Sequence, residues 1–336
     1  SGVGDVTLGF VEGPAETSVE NLGETNVTEE DVAGVIGVLT DGEIIDSQAE
    51  GTADDGINLR AGILALGANS GIANDEFLEI DAIMGFVART MSGDINVVDV
   101  SGGLEIVSTG DFAGVDIGLG GFLDDIQMLA QSPIKVSAPV RNQGQGKIVL
   151  GAMGSAQGDD VVVDAPVSSG GDVILAAGSG YQQNANVRST GGGSVTVAGG
   201  YNVVDGDLQV VSSAGTAGVA SGANLAAARG DVTILASSKV SVSGSIQSSS
   251  GNVDVQSQNV TIASGGRVAA PRGGVFIDAP SEQVTVDGTI DSPVSVVGGS
   301  PAGESLSATQ SFIQELNLAT QSAYFAGEGG EEDEEE

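Results

Sequence analysis

The sequence predicts an all-β solenoid, a repeat fold in which coils of about 22 residues stack along one axis. Three observations carry the prediction. A short phrase recurs near that period: a glycine, a small polar residue, then alternating β-branched or aliphatic positions. Hydrophobic residues make up 40% of the 336-residue chain, yet aromatics are only 3% and Trp is absent. Glycine is abundant, 54 residues against 8 prolines, with no collagen period, which points to many tight turns in a folded chain.

The phrase is clearest at Gly171-Asp172-Val173-Ile174-Leu175 and Gly193-Ser194-Val195-Thr196-Val197. It returns at Gly230-Asp231-Val232-Thr233-Ile234, Gly251-Asn252-Val253-Asp254-Val255 and Gly273-Gly274-Val275-Phe276-Ile277. Successive steps are 22, 37, 21 and 22 residues, so the long step is either one period with an insertion or two unequal coils. Looser copies start at Gly4-Asp5-Val6, Gly93-Asp94-Ile95 and Gly146-Lys147-Ile148. Two further kinds of short strand lie between the phrases: Lys239–Val242 and Asn259–Ile262, then Ser245-Ile246, Arg267-Val268 and Thr289-Ile290, each of the last three after a glycine. Each unit therefore holds two or three strands separated by Gly, Ser and Asn turns.

Alternation points one side chain inward and the next outward, and a core of Val, Ile, Leu and Ala fills small regular layers. A β-sandwich needs about seven strands per ~100 residues, and a period near 22 is too short for it. Stacking at ~4.8 Å gives about 10 to 12 coils and a rod of roughly 50–60 Å with open sheet edges at both ends.

The chain divides into four parts. Residues 1–48 are an irregular acidic segment or the first coils, with a weak apolar run at Val35–Leu39. Residues 49–297 are the β-helix. Residues 298–326 hold a Gly-rich linker and, over Ser305–Ala323, a helix-like spacing of Leu306, Phe312, Ile313, Leu316 and Leu318 suited to capping the last coil. Residues 327–336 form an acidic tail whose like charges favour disorder.

Composition restricts function. With no Cys there is no disulfide, thiolate nucleophile or Cys-based zinc site; with no His, the usual general base and commonest transition-metal ligand are missing. A net charge of −36 repels phosphate backbones, which excludes nucleic acid as a partner. The same surface attracts divalent cations, so weak surface Ca²⁺ binding is expected at most; a saline habitat would fit the composition equally well. No apolar run reaches the ~18–20 residues of a membrane span. Beginning at Ser1-Gly2-Val3, the chain reads as a processed product or an excerpt of a longer one.

Candidate chemistry is sparse. The pairs Asp54-Asp55, Asp124-Asp125 and Asp159-Asp160 are the only arrangements that evoke acid–base catalysis or calcium ligation, and the plainer reading is solvated turns. No EF-hand loop or Gly-Gly-x-Gly-x-Asp nonapeptide occurs. Gly146-Lys147 lacks both the upstream Gly and the following Ser or Thr of a phosphate loop. Asn26-Val27-Thr28 and Asn259-Val260-Thr261 match the glycosylation pattern and are read as chance. No catalytic, cofactor-binding or metal residue is assigned. Insertions at 111–145 and 211–229 are where binding loops are expected.

The runs Gly56-Ile57-Asn58-Leu59-Arg60-Ala61-Gly62, Ala68-Asn69-Ser70-Gly71-Ile72-Ala73-Asn74 and Phe77-Leu78-Glu79-Ile80-Asp81, with the Gly-Asp-Val phrases from 171 to 277, resemble the passengers of filamentous-haemagglutinin-like bacterial adhesins. The resemblance covers residues 50–295. It implies a right-handed parallel β-helix exported from a diderm bacterium to its outer surface. The expected function is a non-enzymatic adhesin or stalk segment facing a cell surface, matrix or glycan. The alternatives are a filament subunit that self-associates through solenoid ends and, more distantly, a polysaccharide-acting enzyme.

Overall fold

The computed structural model describes residues 6–8, 11–12, 34–46, 57–74, 76–110, 112–204, 207–279 and 283–297. Every regular element among them is a strand, and 29 strands join one continuous sheet in which all pairings are parallel. The chain is thus a parallel β-solenoid. The linker, the capping helix over 305–323 and the acidic tail lie outside the described residues, as do Asp54-Asp55 and Asn26.

From residue 95 each coil gives one strand to each of three columns, and the three kinds of phrase in the sequence are those three columns. Column one runs from Ile95–Asp99 through Val173–Ala177 to Val294–Val297 and holds the Gly-polar-Val phrases. Column two runs from Leu104–Ile106 to Gln283–Val286 and includes Lys239–Val242 and Asn259–Ile262. Column three runs from Val115–Ile117 to Thr289–Asp291 and includes Ser245–Ser248 and Arg267–Ala269. Upstream, single strands cross columns: Leu78–Thr90 pairs with Ile95–Asp99, Leu104–Ile106 and Val115–Ile117 in turn. The described parts of residues 1–48 join the same stack, since Val35–Leu39 pairs with residues 63–67 and Val6–Leu8 with Ile44–Asp46.

Register is kept while coil length varies. Along column one Ile126, Ile148, Val173, Val195, Val232, Val253 and Val275 stand in line. The 37-residue step is therefore one coil with an insertion. That insertion is an antiparallel hairpin, Tyr201–Val204 with Asp207–Val210. It folds onto the outside of column one, where Leu208 and Tyr201 cover Ile174, Ala176, Ala198 and Leu235. Phe77 covers Val98 and Leu129 in the same way. This explains why several column-one strands, such as Ile148–Ala152 and Val173–Ala177, are apolar on both faces.

The insertions differ from the sequence expectation. Within 211–229, Thr216–Val219 and Asn224–Ala227 are regular column strands; the extra residues lie just before them. Within 111–145, Phe112–Ala113 pairs antiparallel with Ser108–Thr109 in a separate small hairpin, 118–125 is a turn, and the remainder contains regular strands from Ile126–Ala130 to Val140–Asn142.

Inward positions form apolar ladders, as in column two, where Ile106, Val136 and Val163 stack and are fully buried. Each such side chain contributes about 1.5–3 kcal/mol by leaving water. In column two, two inward residues break the pattern among the described residues. Tyr181 and Gln183 are buried where neighbouring coils carry Val161 and Val163. The Tyr181 hydroxyl donates to Gln183 Oε1 at 3.1 Å, and Gln183 Nε2 donates to the Ala185 carbonyl at 2.8 Å. Ala217, opposite Tyr181 on the next coil, leaves room for the ring.

The phrase glycines are fixed by a close approach. Gly171, Gly193, Gly230, Gly251 and Gly273 stack, and a Cβ on Gly193, Gly230, Gly251 or Gly273 would collide with the backbone of the phrase glycine one coil earlier. The neighbouring Gly192 has open space at its Cβ position. Gly193→Ala is therefore expected to destabilise the chain by about 2 kcal/mol or more, against a change within ~0.5 kcal/mol for Gly192→Ala. Denaturant midpoints of the two variants check this contrast.

Candidate functional site

The polar residue of the phrase has a structural task. Asp94 Oδ1 accepts the Asp125 amide at 2.7 Å, and Asp125 Oδ1 accepts that of Lys147 at 2.6 Å. Asp172 accepts from Ser194 at 2.5 Å, Ser194 Oγ from Asp231 at 3.1 Å, Asp231 from Asn252 at 2.6 Å, and Asn252 from Gly274 at 2.9 Å. Each side chain thus binds the same position one coil on. A second set closes the turn after column three: Asn142, Ser169 and Ser248 accept the amides of Gly144, Gly171 and Gly251 and donate to carbonyls of the coil before.

Asp124, Asp125 and Asp159 belong to the same machinery. Asp124 Oδ2 accepts the Gly93 amide at 2.5 Å, and Asp159 Oδ2 accepts that of Ala156 at 2.6 Å. Held in this way by main-chain N–H groups, these carboxylates cap turns. Among the described residues, no three acidic side chains are grouped as a metal site would require. Gly146-Lys147 sits in the stacked turn, and the Asn259 side-chain amide donates to the Ser238 carbonyl at 3.1 Å. No helix among the described residues is long and apolar enough to cross a membrane.

Burial perturbs several of these carboxyls. It raises Asp99 and Asp125 above the ordinary range against the opposing pull of their amide hydrogen bonds. Asp254 is pushed up to about 6, first by burial and then by the Asp231 carboxylate. It lies on the outer side of column one, between Thr233 and Phe276 in register.

The outer faces of the other columns differ. Column two carries an ion pair, Lys135 Nζ to Glu105 Oε1 at 2.8 Å, which holds Glu105 below and Lys135 above their ordinary values. Column three presents Arg89, Asp116, Arg141, Ser168 and Arg188 in one outward register line. All three arginines are exposed and, among the described residues, form no ion pair. Asp116 between them is occupied, both its oxygens accepting Gln143 Nε2 at 3.1 Å. The turn that continues from Val115–Ile117 packs against the Met91 backbone and exposes Leu119 by 81%, Phe122 by 66% and Leu123 by 71%.

Charge is divided in the same sense. All ten basic residues fall between Arg60 and Arg272, and residues 57–297 carry 23 acidic side chains, a net of −13. Column three with its following turn holds seven acidic and seven basic residues, leaving sixteen acidic and three basic for the rest. One side of the solenoid is neutral while the remainder is strongly acidic. No family model, curated protein or solved structure matches the chain.

The raised Asp254 pKa has a definite sign. The folded chain holds this proton more tightly than the unfolded chain does, so stability falls as pH rises from about 4 to about 6 and stays reduced above that window. Asp254→Asn is expected to melt higher than the parent at pH 7, with the gain shrinking toward pH 4. A melting series across that range measures it; a constant difference at every pH would contradict the assignment.

Proposed function

We propose that the chain is a non-enzymatic segment of a right-handed parallel β-helix adhesin or stalk, displayed at the outer surface of a diderm bacterium. The observation that carries this reading is the use of outward polar groups to bind coil to coil: Asp124, Asp125 and Asp159, among the candidate catalysts of the sequence, cap turns and stack coils. The support for handedness is general, because parallel crossovers within one sheet are right-handed in almost all proteins. The resemblance to filamentous-haemagglutinin-like passengers supports export and display. Twelve column-one positions, from Val6 to Ser295, stack in register, which at ~4.8 Å each makes a rod of about 50–60 Å. A rigid rod of that kind holds faces and loops away from whatever anchors it. Weak surface Ca²⁺ is compatible with its acidic side.

The test is adhesion of the purified chain to cells, matrix and glycan-coated surfaces, with an inert solenoid of similar charge as control. Saturable binding above control, with no turnover on uronic-acid or neutral polysaccharides, is the expected result. Background binding everywhere, or turnover, would overturn the reading.

One observation favours a filament subunit as the second reading. Among the described residues, the last strands, Gln283–Val286, Thr289–Asp291 and Val294–Val297, are paired on one side only. Electron microscopy with and without Ca²⁺ separates the two: discrete rods fit a stalk, and continuous fibres place assembly first.

A further inference from the structure

We infer that the outer face of column three is a docking strip for a linear acidic polysaccharide carrying one carboxylate for every two sugar units. This rests on the proposed surface role and names its ligand and its place. Arg89, Arg141 and Arg188 are separated by Asp116 and Ser168 in register, so each arginine stands two coils from the next. At ~4.8 Å per coil that is about 10 Å, a spacing of the order of an alternating acidic disaccharide. The strands are parallel and in register, so the line of arginines runs along the stack of coils. An extended polymer laid along that axis meets one guanidinium per repeat.

The acidic residues on this side are already engaged by the protein's own groups. Asp94, Asp125, Asp172 and Asp231 accept amides of the following coil, Asp124 accepts the Gly93 amide, Asp116 is held by Gln143, and Asp291 pairs with Arg267 at 2.8 Å. By contrast, Arg229 and Arg272, in the turns after column three, join the three aligned arginines in having no ion pair among the described residues. Unpaired guanidinium forks are suited to bidentate capture of carboxylates. Beside the strip, Leu119, Phe122 and Leu123 project from the turn at 118–125, an apolar group rimmed by polar surface and available to the non-polar faces of sugar rings. Charge density sets the limit on the ligand. Nucleic acid, at about one charge per 1.7 Å, would be repelled by the acidic remainder of the chain, whereas one charge per ~10 Å matches the strip without overwhelming it.

The experiment titrates the full chain against immobilised hyaluronan, with dextran as the uncharged polymer, at several salt concentrations. The parent should bind hyaluronan and not dextran, and should weaken as salt rises. The triple variant Arg89→Gln, Arg141→Gln, Arg188→Gln should lose about tenfold or more in affinity, with its circular dichroism unchanged because all three side chains point to solvent. Lys239→Gln, on column two, should bind as the parent does. Binding no better than to dextran, or equal binding by the triple variant, overturns the inference. Adhesion to whole cells without hyaluronan binding overturns it too and leaves the surface role standing. Failure to adhere to any surface removes the surface role and this inference together.

Discussion

Successive coils lie one strand spacing apart and in register, so each residue's nearest neighbours outside its own strand are the residues at the same position one coil before and one coil after. That constraint sorts the whole sequence. Inward positions must repeat as apolar side chains of similar volume, which is why Val, Ile and Leu recur. Turn positions whose backbones approach most closely admit only glycine, as at Gly171, Gly193, Gly230, Gly251 and Gly273. At the next position Asp, Ser and Asn recur because each offers an oxygen on a short stem to the amide above it; Lys147 and Gly274 are the departures.

The same stacking shapes composition. A narrow interior built of thin layers has little use for large rings, and the Tyr181–Gln183 pair is tolerated because each polar atom has a partner and Ala217 yields the space. Identical charges stacked at ~4.8 Å repel, so carboxylates facing outward are interrupted: Glu105 by Lys135, Asp116 by Arg89 and Arg141. All ten basic residues lie between Arg60 and Arg272, and the 59 residues before and the 64 after carry acidic charge alone. Stability by repetition also removes any requirement for disulfides in a chain without Cys.

Much of the fold was legible. The three kinds of phrase correspond to three columns, and even the loose copies at Gly4, Gly93 and Gly146 lead into column-one positions. The coil at Ile126 was missed because Asp124 stands where the phrase has glycine. The insertion was placed too late, at 211–229, and only the pairing of Val195 with Val232 shows that Tyr201–Val204 and Asp207–Val210 lie outside the coil. The arginine line was invisible in the sequence: its members are separated by coils of unequal length and align only through strand register. Asp124 and Asp125 drew attention by adjacency, whereas their roles are set by amides one coil away.

In-register stacking across the long coil is the claim on which the rest depends, and a disulfide tests it directly. Gln182 and Gly218 are register partners across the insertion, both near the surface, and Gly218 has room for a Cβ. In parallel strands one spacing apart, the Cα separation falls within the range that a disulfide bridges. A Gln182→Cys, Gly218→Cys double variant, in a chain otherwise free of cysteine, is expected to oxidise to a monomeric disulfide with no free thiol. Gln182→Cys with Ser241→Cys, two coils apart, should keep both thiols free. Crosslinking of the second pair in preference to the first would contradict the stacking.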